Sequence, residues 1–161
     1  MGGRERGGER RSWTLITVAA ALLIMAAGIA LAEQSELTLA GLDGEKLHEA
    51  ELLKQTALVV VWASWSPHCR EVPSQVAELS RHWGSKARVL TLDFEEDAHT
   101  VRSFLAKTPM HAPVFLDADG AFSKKYGVTS LPGLIVFKDG KAVYNGRFPD
   151  DPKAVLNPIL H

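Results

Sequence analysis

The chain has 161 residues, 46% of them hydrophobic, and a formal charge of −1. That suits one domain with its own core plus an appendage. The single cysteine excludes an intrachain disulfide, and the near-neutral balance argues against a nucleic-acid-binding face.

Residues 1–32 are a different material from the rest. Arg4, Arg6, Arg10 and Arg11 are followed by an uncharged run over 12–32. Such a run reaches the ~20 residues needed to cross a bilayer, with the flanking arginines held on the cytoplasmic side. Ala30-Leu31-Ala32 also fits the small-x-small pattern of a signal-peptide site, so cleavage after Ala32 and secretion is the alternative. Both readings place a domain spanning 33–161 outside the cytoplasm, in the periplasm or cell envelope. The first adds a membrane contact through the N-terminal helix.

Residues 33–36 read as a polar linker. Leu37 and Leu39 alternate briefly before Gly41-Leu42-Asp43-Gly44, a turn. Leu47, Leu52 and Leu53 recur at helical spacing and predict a short amphipathic helix over 45–54. The unbroken apolar, β-branched run 57–62, ALVVVW, suits a central strand covered on both faces. Ser66-Pro67 has the form of a helix start, with serine at the N-cap and proline in the first turn. The helix is expected to run to about residue 82, burying Val72, Val76 and Leu79. A second strand is expected over 87–92. The acidic run 93–97, DFEED, then reads as solvated charge leading into a helix over 99–107. A third strand over 113–116, a short helix over 122–126 closed by Gly127, and a hairpin follow. The hairpin is signalled by Asp139-Gly140 between two apolar runs. A closing helix is expected over 151–160. Alternating elements of this kind give a mixed α/β sheet with helices on both faces.

The chemistry concentrates in WASWSPHCREVP, residues 62–73. His48, His82, His99, His111 and His161 are scattered without ligand spacing, so no metal site is expected. No glycine-rich phosphate loop or nucleophilic triad is visible, and no cofactor is implied.

Taken together, several segments resemble the thioredoxin-fold TlpA/ResA type of membrane-tethered thiol–disulfide oxidoreductase. They are Leu42-Asp43-Gly44, VVVWASWSPHCREVP, Phe115-Leu116-Asp117, Tyr126-Gly127-Val128, and Leu131-Pro132 followed by IVFKDGK. The resemblance implies a thioredoxin-like fold, a cis peptide before Pro132, and cell-envelope thiol–disulfide chemistry on extracytoplasmic protein thiols and disulfides. It also implies roles. Ser66 takes the place of the attacking cysteine and Cys69 that of the resolving one. Trp65, Pro67 and His68 flank the site, and the Leu131 backbone beside Pro132 is where a substrate strand would pair. Glu71 falls near a family glutamate. Gly133 departs from the threonine common after the proline, and Val60 departs from the buried acid of thioredoxin proper.

Thiol–disulfide exchange needs a thiolate attacker and then a resolving thiol. A serine hydroxyl is hardly ionised near neutrality and supplies neither, so two-electron cycling within one chain is excluded. Cys69 would sit at the start of the helix, where the dipole favours a thiolate, while burial opposes it. Three readings follow: a monothiol or redox-impaired family member, a redox-silent module holding an extended peptide or partner protein beside Pro132, or a one-cysteine peroxidase in which Ser66 serves Cys69. In the plainest reading, Cys69 is a small buried hydrophobe and Ser66 an N-cap worth about 1 kcal/mol.

Overall fold

The structure, a computed structural model, describes residues 36–161. The expected boundary after residue 32 and the N-terminal anchor or signal segment lie outside the described residues. Among the described residues no helix is long and apolar enough to cross a membrane.

Among the described residues seven strands form one mixed sheet. In chain order they are β1 (Thr38–Gly41), β2 (Lys46–His48), β3 (Ala57–Trp62), β4 (Arg88–Phe94), β5 (Val114–Asp117), β6 (Gly133–Lys138) and β7 (Lys141–Arg147). They lie in the order β2-β1-β5-β4-β3-β6-β7. β3, β4 and β5 run parallel, and β1, β2, β6 and β7 pair antiparallel at the two sides. Among the described residues five α-helices cover the sheet: α1 (Glu49–Leu53), α2 (Val72–Trp83), α3 (Ala98–Leu105), α4 (Ala121–Lys125) and α5 (Pro152–Leu160).

β3 is buried at every position, as its composition predicts. Its alternating side chains build two cores, because successive residues of a strand point to opposite faces. Leu58, Val60 and Trp62 join Val72, Val76, Leu79 and Trp83 of α2, Val101 of α3, and Leu156 and Leu160 of α5. Val59 and Val61 join Leu52 of α1, Phe115 of β5 and Phe122 of α4. The β6–β7 hairpin turns on Asp139 and Gly140, both with positive φ (52° and 79°). That is the primed two-residue turn which Asp-Gly favours, since its twist matches that of the flanking strands.

Two expected helices are corrected. Over 45–54, residues Lys46–His48 form β2 and only Glu49–Leu53 is helical. β2 pairs with β1, placing Leu47 opposite Leu39. The helix expected from Ser66 to about residue 82 is broken: Pro67–Cys69 is one 3₁₀ turn, and α2 starts only at Val72. Pro73 supplies the reason. In a continuous helix its ring would meet the carbonyl of Cys69, and it offers no N–H there. Placed in the first turn of α2 it is harmless.

The entry hairpin is pinned to α4 by one buried carboxylate. Glu49 is 5% exposed. It accepts from Lys125 Nζ (2.7 Å to Oε1), from the Tyr126 hydroxyl and from the Leu37 amide (3.2 Å). Burial pushes the Glu49 carboxyl up, but these bonds outweigh it and hold it below the usual range. The Tyr126 hydroxyl is pushed up, by burial first and by Glu49 second. A carboxylate held low contributes stability above its unfolded titration range and loses it as pH falls through the folded one. Glu49→Gln is therefore expected to cost roughly 1–3 kcal/mol at neutral pH, with the difference shrinking below about pH 4. Urea melts at the two pH values check this.

Candidate functional site

The site forms where β3 runs out. After Trp62 the chain makes a tight loop, the Ser66 amide donating to the Ala63 carbonyl (3.3 Å). The 3₁₀ turn follows, closed by the Cys69 amide donating to the Ser66 carbonyl (3.0 Å). Ser66 is extended at φ −80°, ψ 119° and makes no side-chain capping bond. Its expected N-cap role is thus corrected: the backbone carbonyl closes the turn and the hydroxyl contributes nothing to it. Ser66→Ala is expected to change stability by no more than about 0.5 kcal/mol, well under an ordinary N-cap loss, as a thermal melt would show.

Cys69 is a free thiol, buried at 2% exposure. It packs in the core layer that holds Trp62, Val72 and Val76. It lies in the 3₁₀ turn, three residues before α2, rather than at the head of an α-helix as expected. Trp65 is the opposite case: a large apolar side chain left 62% exposed. Pro67, His68 and Glu71 are exposed as well. Glu71 is occupied at the start of α2, its carbonyl accepting from Ser74 Oγ (2.8 Å).

The Leu131–Pro132 peptide is cis. The Pro132 carbonyl accepts from the Phe148 amide (2.9 Å). Gly133 follows, in register with Val61 of β3 and Arg147 of β7. A Cβ here would meet the Ser130 carbonyl oxygen and Val128 Cγ1, each at 3.1 Å. That crowding gives the glycine a packing reason. Beside this loop lies a cleft of about 880 Å³. His68, Gln75, Leu79, Leu131, Pro132 and Phe148 are among its walls; Ser66 and Cys69 are not. The structure thus brings His68, Leu131 and Pro132 to one cleft and seats Cys69 beneath the surface.

The sequence reading missed a pair of acids. Asp93, read as solvated, is fully buried at the end of β4, opposite Trp62 of β3. Burial, and then Glu96, pushes its carboxyl up to about 8. Glu96 reaches back to the site loop and accepts from the Ser64 amide (2.6 Å) and the Ser64 hydroxyl (2.5 Å). The remaining acids of the run behave as expected: Asp97 caps α3 by accepting from the Thr100 amide. Strand periodicity could have found Asp93, because extending β4 by one residue beyond 92 places it on the inward face of Val89 and Thr91. Among the described residues no cluster of histidine, cysteine and carboxylate groups could hold a metal ion.

Residues 26–158 match the family model described as Redoxin. The thiol-disulfide oxidoreductase ResA of Bacillus cereus is 27% identical over 104 residues, which cover 63% of this chain and 60% of the relative. A thioredoxin of Staphylococcus aureus is 33% identical over 86 residues, 53% of this chain and 62% of that protein. The chain thus spans about three fifths of the length of these curated relatives. Among solved structures, the pneumococcal exposed lipoprotein thioredoxin Etrx1 of Streptococcus pneumoniae superposes with a TM-score of 0.67 at 22% identity, covering 78% of this chain and 98% of that one.

Proposed function

Because the chain belongs to the Redoxin family, with the thioredoxin-like fold and thiol–disulfide oxidoreductase relatives, we propose that it is a redox-impaired member of that group. It keeps the face that receives an extended polypeptide and does not turn over disulfides alone. The observation that carries this is the pairing of Ser66 with a buried Cys69. The position of the attacking sulfur holds a hydroxyl, and the one sulfur present is sealed in the core. A thiolate must reach a disulfide sulfur in line to exchange with it, and a thiol at 2% exposure has no such approach without local opening.

The rest of the site is built to receive a chain. Exposed Trp65 offers a broad apolar contact at low entropic cost. Leu131 and Pro132 line a cleft that also takes in His68. The partner class is an extracytoplasmic protein thiol or disulfide, or an extended peptide. The location follows from the N-terminal sequence, in which four arginines precede an uncharged run over 12–32, the pattern of an anchored or exported chain. In this reading residues 33–161 form the working domain, and 1–32 deliver it to the envelope and tether it there.

The test is binding without exchange. An extended cysteine-containing peptide with its thiol alkylated is expected to shift the amide resonances of Trp65, His68 and Leu131. The same peptide as a mixed disulfide with a small thiol is expected to bind without transferring to Cys69. Transfer to Cys69 in the folded chain, seen by mass spectrometry, would overturn the redox-impaired reading. Absence of any shift would overturn the binding face.

A further inference from the structure

The buried acid Asp93 has no part in the reading above, and its surroundings give it one. Neither of its carboxyl oxygens has a close hydrogen-bond partner among the described residues, both are sealed from solvent, and the pull of the Glu96 amide does not offset burial. Trp62 stands opposite on β3 and Leu116 opposite on β5, both carrying no charge. Asp117, one step further along β5, accepts with its carboxylate from the Phe122 and Ser123 amides (3.0 and 2.8 Å). Phe104 of α3 lies against Trp62, ring centroids 5.4 Å apart, and Val101 and Cys69 belong to the same layer. Glu95 turns away toward Gly120. Among the described residues the one charged group that bears on Asp93 is Glu96.

Two carboxyl groups side by side away from water can bond only if one of them holds a proton; with none, they repel. Glu96 already accepts from the amide and the hydroxyl of Ser64, two residues before Ser66. A proton on Asp93 therefore completes a chain that runs from the sheet core through Glu96 to the loop carrying Trp65.

We propose that Asp93 and Glu96 share one proton, and that this proton holds the 63–66 loop in place, so that losing it loosens the grip of Glu96 on Ser64 and frees Trp65. When Asp93 gives up its proton to solvent base, the pair carries two negative charges. The least costly relief is movement of Glu96, the partly solvated member, away from Asp93. Ser64 then loses both of its bonds to that side chain. Asp93 and Glu96 are positioning residues here, and the proposal is independent of whether Cys69 exchanges thiols.

The experiment is a titration of the full chain by NMR, following the Asp93 carboxyl carbon and the Ser64 amide from about pH 5 to about pH 10. Both signals are expected to move together, with one midpoint well above the ordinary carboxylate range. In Asp93→Asn, a neutral side chain of the same shape, the Ser64 transition is expected to vanish. In Glu96→Gln the Asp93 midpoint is expected to fall. A Ser64 amide that stays still while Asp93 titrates overturns the proposal. So does an Asp93 carboxyl that titrates in the ordinary range, or a Ser64 transition that survives unchanged in Asp93→Asn. If Asp93→Asn does not fold, the coincidence or separation of the two wild-type midpoints still decides.

Discussion

Replacing Ser66 by cysteine is expected to turn a chain that leaves insulin reduction by dithiothreitol at its background rate into one that accelerates it by about tenfold or more. The scaffold is already arranged for the second sulfur. Residue 66 lies three positions before Cys69 across a single 3₁₀ turn, closed by the bond from the Cys69 amide to the Ser66 carbonyl. A rise of about 2 Å per residue sets the two Cα atoms roughly 6 Å apart, inside the window of about 4.4–6.8 Å that a disulfide requires. Position 66 is itself buried, at 6% exposure, beside exposed Trp65, so the new thiol reaches an incoming chain through local opening of the 63–66 loop. The new thiol would attack, and Cys69 would resolve the mixed disulfide from beneath, where limited exposure is no handicap. Equal rates in the two proteins, both at background, would mean that the scaffold has lost more than one atom. Equal rates both above background would mean that Cys69 works alone.

Asp93→Asn is expected to raise stability at neutral and alkaline pH, by roughly 2–5 kcal/mol. The sign follows from the direction of the shift. Asp93 titrates at about 8 in the folded chain, against an ordinary value of 3.8. Between those values the folded state binds the proton and the unfolded state does not. Its contribution is most favourable below the unfolded value and is lost as pH rises through the folded one, at about 1.4 kcal/mol per pH unit. Asparagine has no proton to lose and keeps the shape of the acid. The two proteins should therefore be closest in stability near pH 4, diverge in favour of the variant as pH rises, and run parallel again above about pH 9. Urea melts across that range check it, and parallel curves throughout would show that Asp93 is an ordinary acid.

The sheet and its two buried faces were legible because the signals were local and strong. The β-branched run of β3, the Asp-Gly turn and the spacing of Val72, Val76 and Leu79 each had one physical interpretation. β2 was not legible, because three residues with a single apolar side chain, Leu47, fit a helix or a strand equally well. Its strand state is settled by pairing with β1, a contact between segments that no local pattern reports. The break between Cys69 and Val72 was written in Pro73 and outweighed by the helix start at Ser66-Pro67. The buried acid was hidden by composition. Four acids in five residues look solvated, yet strand alternation sends Asp93 inward while Glu96 doubles back to Ser64. A run of like charge conceals differences in environment that only the fold creates.

Alkylation of Cys69 in the folded protein decides most directly whether this chain exchanges thiols. Iodoacetamide labelling at neutral pH is expected to be about a hundredfold slower in the native protein than in urea, because the thiol reacts only when its surroundings open. Labelling of the native protein as fast as the unfolded one, or faster, would contradict a sealed cysteine and with it the redox-impaired reading.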